Sequence, residues 1–313
     1  MPSTKQGILD AATLASTESS IVSGLWLSRA AVSIKTAFSA RLPIFGFASD
    51  FNRNLSEWKA TFEMIEHLAF HPAKPILGED VELYEHSAIS SPRLASLATE
   101  DILLGASLHG AALHGNGCAI HTDCHRAVAH ARNEVLERHY CCEMWYRRSV
   151  GMRPIWQARS SGRASDVHLR AYRLEVPIEG FLVIATAESE ELPFFAIGAG
   201  IRNSLIAACS HAVGEVAVAY EDAKLERSGY AATVAARSNI LSLRDREQFH
   251  ERKRYFLSLS SHPASAHTIP LVPSVYSFSV LGEFHAARAS TKDLLTPRQF
   301  HNHNTDVPVL PIF

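Results

Sequence analysis

Apolar residues at Trp58, Phe62, Ile65 and Leu68 fall three or four positions apart in the otherwise polar stretch 57–68, the period of a single helical face. That spacing predicts a helix with all four side chains in a core. His71-Pro72-Ala73-Lys74-Pro75 ends it, because proline removes a backbone donor and moves its predecessor out of helical geometry. Further helices are expected over 127–138, continued through 141–146, and over 244–256, where Phe249, Arg252, Lys253 and Phe256 share a spacing. Residues 94–113 suggest a mostly helical approach to a glycine turn, and 8–40 suggest helices or a strand and a helix. Continuous apolar runs at 181–186 and 192–197 predict buried strands, and 45–48 a short one. Strict alternation over 274–280 predicts a half-buried strand, with Gly282 turning the chain into 284–289. Arginine, serine and glycine between 147 and 163 suggest an exposed basic loop. The sum is a mixed α/β (α+β) chain without a short repeat, a low-complexity tract or a linker.

Composition narrows the class without naming it. The chain has 313 residues, 47% of them hydrophobic, enough for a large core. A net charge of -2 and an isoelectric point near 6.8 argue against a nucleic-acid footprint. No run approaches the roughly 20 apolar residues of a membrane span, and Met1-Pro2-Ser3-Thr4-Lys5-Gln6 is not followed by a secretion signal. A bacterial cytoplasm is the expected location. Five cysteines, an odd number without framework spacing, read as reduced thiols. Cys118, His121, Cys124 and His125 carry metal-ligand chemistry. Lining one helical face they would not close a tetrahedral site, so they read as the packed first turn of the 127–138 helix.

The candidate chemistry lies in His114-Gly115-Asn116-Gly117 and the helix that follows it. Glu134, Glu137 and Arg138 stand one turn apart on that helix. A glycine-flanked turn opening it would bring backbone N–H groups to phosphate, and the glutamates would offer hard oxygen ligands to magnesium. Alone, Glu-x-x-Glu-Arg is more commonly a solvated face. A second segment repeats the theme: Gly198-Ala199-Gly200 would open a helix from about Asn203 that carries Glu215. A dinucleotide turn fits this second glycine pair poorly, since Asn203 replaces the third glycine. A dinucleotide-dependent oxidoreductase is therefore the weakest of three readings.

Gly115-x-Gly117 followed by His130-x-x-x-Glu134-x-x-Glu137-Arg138 resembles the first signature of the YcaO superfamily. Gly198-x-Gly200, Ala207, Ala212 and Glu215 resemble the second. Residues 284–294 are similar to the late strand and loop, and Pro308-x-x-Pro311 to the proline-rich terminus. The resemblance covers about residues 100–313 as one continuous catalytic region, with 1–99 matching loosely.

It implies β-sheets flanked by helices around a cleft for ATP and Mg2+. Glu134, Glu137 and Glu215 would hold the metal. Gly115, Gly117, Arg138, Gly198, Gly200 and Asn203 would contact nucleotide, although Asn203 equally suits a helix cap. Pro308 and Pro311 would belong to the catalytic terminus. The implied activity is cyclodehydration of Cys, Ser or Thr in a ribosomally made precursor peptide to thiazoline or oxazoline, as in bacteriocin maturation. The implied partners are the precursor peptide, a separate leader-peptide-binding protein and a dehydrogenase subunit, in an oligomeric assembly away from nucleic acid and membrane. Departures from the pattern are Asn116 for lysine, His130 for serine, Val218 for glutamine, Tyr220 for arginine and a terminus without its middle proline. They give the second reading, a catalytically degenerate YcaO scaffold.

Overall fold

A computed structural model describes residues 5–35, 41–71, 81–86, 92–95, 102–103, 107–108, 111–112, 117–164, 166–227, 246–259, 271–291, 307–308 and 310–311. It is a mixed α+β fold of helices on antiparallel sheets. After a short helix α1 (Lys5–Ala11), strands β1 (Thr13–Glu18), β2 (Trp26–Lys35) and β3 (Arg41–Asp50) form a meander covered by α2 (Arg53–Ala69). The described part of the region 8–40, residues 8–35, is thus mainly strand. Its Ala and Ser residues suit either structure, and the ten-residue pairing of β2 with β3 decides between them. Asn52 caps α2 by accepting the Leu55 N–H at 3.2 Å. Ile65 and Leu68 are buried as expected, but Trp58 is 55% exposed and touches Phe62 from outside.

A second sheet has the order β5-β4-β13-β14-β8, built from β4 (Tyr84–His86), β5 (Arg93–Leu94), β8 (Cys118–His121), β13 (Ser274–Val280) and β14 (Phe284–Ser290). Between β5 and β8, Ile102 is a 3-10 position and Leu103 a bend, and β6 (Ser107–Leu108) pairs with β7 (Ala111–Ala112) as a small ribbon where a helix is expected; the rest of 96–113 lies outside the described residues. Leu281 and Gly282, both at positive φ, turn β13 into β14. Strand β13 is not half-buried. Phe278 and Val280 join a core with Met64, Ile65 and Leu68 of α2, while Val275 joins one with α3 (Cys124–Cys142) on the opposite face.

The third sheet, β12-β11-β10-β9, is a meander of β9 (Gly151–Arg159), β10 (His168–Glu175), β11 (Phe181–Ser189) and β12 (Phe194–Arg202). The expected basic loop is largely β9, an edge strand paired in a hairpin with β10, the next strand in the chain. Its Arg153 pairs with Glu175 at 2.8 Å. Strands β11 and β12 are apolar over most of their length because both faces are covered. Val183, Ala185, Phe194 and Ala196 meet α4 (Leu205–Arg227), whereas Ile184, Phe195 and Ile197 meet Trp145, Phe249 and Phe256. Phe249 and Phe256 come from α5 (Arg246–Leu259), and Trp145 from a single π turn, Glu143–Arg147, that continues α3. Helix α3 therefore runs from the second sheet to the third.

Candidate active site

Asp123 starts α3 by accepting the Arg126 N–H at 2.9 Å, with strand β8 between Gly117 and the helix. The glycine turn thus opens a strand, not the helix. Cys118 and His121 lie on β8, and Cys124 and His125 begin α3, so these four do not share a helical face. Cys118 is buried against Arg288, and the Cys124 thiol meets the Ser277 hydroxyl at 3.6 Å. His109, His114, Gly115 and Asn116 lie outside the described residues.

Nearly three turns into α3, Glu134 reaches back to accept the Gly117 N–H at 2.9 Å. Gly117, at φ +81°, leaves no room for a Cβ beside Val135 and the Ala289 carbonyl, and that carbonyl's residue donates its N–H to Gly117 at 2.7 Å. Gly198 and Gly200 are not a turn. They sit inside β12, where a dinucleotide fingerprint cannot form. Their use is close approach: a Cβ on Gly198 would lie 2.7 Å from Cβ of Glu215 on α4 and would also meet the Ala212 carbonyl.

Strand β12 is an edge strand, and alternate backbone N–H groups along it point away from β11. Each has a partner. Ile197 donates to the Pro311 carbonyl at 2.8 Å, Ala199 to Glu215 at 2.9 Å, and Ile201 to Glu137. The chain's closing segment and two carboxylates thereby cover an edge that would otherwise invite another strand. Pro308 is fastened by Trp145, whose Nε1 donates to its carbonyl at 2.6 Å, and Leu310 donates to the Tyr146 hydroxyl at 3.0 Å.

Glu134, Glu137, Glu215 and Arg138 are brought into one electrostatic cluster. Burial, repulsion from Glu137 and repulsion from Glu134 push Glu215 up to about 8, against the opposing pull of Arg138. Burial raises Glu134 to about 7, with Arg138 opposing and Glu137 adding, and burial likewise raises Glu137. Burial alone would lower Arg138, but Glu215, Glu137 and Glu134 outweigh it and raise it. Arg138 faces all three carboxylates, Arg202 faces Glu137 and Glu215, and Arg288 faces Glu134. Three carboxylates offer hard oxygen donors, the chemistry that Mg2+ selects. Among the described residues no three acidic, imidazole or thiol side chains converge at ligand distance, and each glutamate holds a backbone amide instead.

Several participants carried no local signal. Arg202 ends β12 and faces Glu137 and Glu215; burial lowers its pKa and those carboxylates partly restore it. His211 lies one turn before Glu215, with Nε2 3.7 Å from Oε1. Burial, then Arg202 and Lys59, drive its pKa well below the usual histidine range. His130 meets His121 edge to face at 5.9 Å, and burial, then Arg202, lowers it to about 4. Behind Glu134, burial and the charges of Glu134 and Glu63 raise Glu66 of α2, which Arg288 of β14 opposes. Asn203 is exposed and does not cap α4; Ser204 does, accepting the Ala207 N–H at 3.2 Å. Tyr220 lies in the apolar core, edge to face with Phe194 at 5.5 Å.

Replacing Gly198 with Ala is expected to displace α4 from β12, since the obstructing atoms are helix backbone and Glu215 Cβ. The cost is expected at about 2 kcal/mol or more, by analogy with overpacked cores. Denaturant unfolding measures it, and an unchanged midpoint would contradict this packing.

A family model described as YcaO cyclodehydratase, ATP- and Mg2+-binding, matches residues 109–296. No curated protein sequence matches significantly. Among solved structures, YcaO from Methanopyrus kandleri bound with AMPPCP and Mg2+ superposes with a TM-score of 0.60 at 13% identity, over 95% of this chain and 88% of the other. A heterocyclase in complex with substrate and cofactor gives a TM-score of 0.64 at 13% identity, over 91% of this chain; the match spans only 50% of that larger protein. These likenesses establish a shared fold.

Proposed function

The chain belongs to the YcaO family of ATP- and Mg2+-binding cyclodehydratases, and from that premise we propose that it forms azoline rings in a ribosomally made precursor peptide. The observation that carries this reading is the convergence of Glu134, Glu137 and Glu215 on Arg138 beside the edge of β12. The side chain of a Cys, Ser or Thr adds to the carbon of the preceding amide. The former carbonyl oxygen takes the γ-phosphoryl group of ATP, releasing ADP. The ring nitrogen then loses its proton to solvent as the C–O bond breaks, inorganic phosphate departs, and a C=N bond closes the azoline. An amide oxygen is a poor leaving group, and phosphorylation makes its departure feasible.

Bound Mg2+ would neutralise phosphate charge. Glu134, Glu137 and Glu215 would be its protein ligands, exchanging a burial-raised proton for the metal. Arg138 orients these carboxylates, and a planar guanidinium suits that task or a phosphate contact. Gly117, Gly198 and Gly200, whose missing Cβ atoms admit Val135, Glu215 and His211, would bring those elements up to the nucleotide, with Asn203 nearby and Gly115, outside the described residues, as a further proposed contact. Pro308 and Pro311 hold the closing segment against β12. We place this chemistry in one continuous domain, 100–313, with 1–99 as an accompanying region. Among the described residues no helix is long and apolar enough to cross a membrane, and a cytoplasmic location is part of this proposal. A separate leader-peptide-binding protein, a dehydrogenase subunit and an oligomeric assembly complete the proposal, with bacteriocin maturation as its setting.

The test is calorimetric titration of ATP with Mg2+. The wild type is expected to bind, and Glu134→Gln and Glu215→Gln to weaken binding by about tenfold or more, since each removes ligand charge without altering shape. Wild-type binding unaffected by either substitution would overturn the ligand assignment. A second reading, a non-catalytic scaffold, is favoured by the core position of Tyr220, which leaves no charged group at that place. Absence of nucleotide binding by the wild type would support it.

A further inference from the structure

Strand β1 is an edge of the first sheet, and its backbone is open. The Ser19 N–H donates to the Leu25 carbonyl at 2.8 Å, and the register continues with Thr17 opposite Leu27, Ala15 opposite Arg29 and Thr13 opposite Ala31. Hydrogen-bonded pairs alternate along an antiparallel ladder, so Leu14, Ser16 and Glu18 turn their N–H and C=O groups away from β2. Among the described residues nothing accepts those three amides. Other long edges are closed. On β3, Phe47 donates its N–H to Glu63 at 2.9 Å and the Phe45 carbonyl lies 2.5 Å from Nδ1 of His67. On β12 the Pro311 carbonyl, Glu215 and Glu137 do the same work. Strand β9 carries Pro154, Arg153 and a register shift, all of which discourage pairing. Strand β1 has no proline, lysine or arginine, and five of its six residues are exposed, because α2 lies mainly over β2 and β3. Such an edge is a template for another strand.

We propose that the added strand is β1 of a second copy of this chain, paired antiparallel about a two-fold axis at Ser16, so that two three-stranded sheets become one of six strands. A two-fold axis presents an edge to itself antiparallel, so the edge must complement its own sequence. Centred on Ser16, the register sets Ser16 against its counterpart and Leu14 against Glu18 of the partner subunit, and it engages all three outward amides. Glu18 is the only charged residue of β1, so no like charges face each other. Leu14, 48% exposed in one copy, gains a cross-strand neighbour. The cleft and its ligands do not enter this inference, which gives the oligomeric assembly proposed above an interface.

The experiment is sedimentation equilibrium of the full chain over a range of concentrations, at low and high salt. Wild type is expected to dimerise reversibly in the micromolar range, as a contact of this small size implies. Leu14→Glu sets a carboxylate against Glu18 of the partner subunit, twice by symmetry, and Leu14→Lys sets an ammonium there. The Lys variant is therefore expected to dimerise about tenfold more tightly than the Glu variant at low salt, and the gap to close at high salt. Both variants are expected to unfold at the wild-type midpoint when dilute, since Leu14 is half-exposed in the monomer. A second measurement reads the register directly. Ala15 lies opposite Thr17 of the partner subunit in this pairing, so a mixture of Ala15→Cys and Thr17→Cys is expected to form an intersubunit disulfide at those positions, and neither variant alone. A wild type that stays monomeric up to about 1 mM would overturn the proposal and leave β1 to a foreign strand. A dimer in which the Glu and Lys variants behave alike, or a mixture without that disulfide, would place the contact elsewhere and overturn it too.

Discussion

Raising the pH from about 5 to about 8 is expected to weaken the ligand-free protein, by an amount on the order of 3 kcal/mol or more from the cleft carboxylates alone. Glu134 and Glu215 are raised from 4.5 to about 7 and about 8, by burial first and mutual repulsion second. A carboxyl whose folded pKa exceeds its unfolded value holds more protons folded than unfolded. Its contribution is therefore complete below 4.5 and is lost as the pH climbs through 7 and 8. Glu63, raised to about 7, and Asp222, raised to about 6, act in the same direction, so the cleft's share must be isolated. Urea unfolding of wild type and of the Glu134→Gln, Glu215→Gln double variant across this pH range isolates it. The double variant is expected to flatten the slope, and Mg2+ with ATP to reduce it in wild type by replacing protons with metal. A wild type that gains stability toward pH 8, or a slope indifferent to the two substitutions, would contradict a cleft of mutually repelling carboxylates.

The parts of this arrangement visible in the sequence are those written within a single element. Glu134, Glu137 and Arg138 share a helical face whatever surrounds them, and Leu281-Gly282 turns β13 into β14 by local backbone preference. Long apolar strands such as β11 announce themselves for the same reason. Features that depend on a distant partner were misread or invisible. Gly198 and Gly200 look like a turn because glycine punctuates chains, yet here they make space for Glu215 and His211. Strand β9 is polar and arginine-rich, and only its pairing with β10 makes it a strand. Alternation along β13 suggests one wet face, but α2 and α3 cover both. Arg202, His211, Glu66 and Arg288 come from four elements, and no spacing connects them.

Replacing Arg138 with Met is expected to be the most damaging single substitution in the cleft, costing about 3–5 kcal/mol, the range for removing one partner of a buried charge cluster. Glu134, Glu137 and Glu215 all lower their energy against this guanidinium, and without it their repulsion is opposed by Arg202 at Glu137 and Glu215 and by Arg288 at Glu134. The loss has a signature that distinguishes it from a packing defect. At about pH 5 Glu134 and Glu215 are protonated in the folded state and need little compensation, so the penalty is expected to shrink there and to grow toward pH 8. Mg2+ alone is expected to raise the melting temperature of Arg138→Met more than that of wild type, because the metal supplies the missing positive charge. Should the Met variant fail to fold at neutral pH, Arg138→Lys, which keeps the charge and loses the fork, is expected to fold with a smaller penalty and the same pH trend. A penalty equal at both pH values and indifferent to Mg2+ would mean that Arg138 serves only to pack α3, and that the three glutamates do not act as one site.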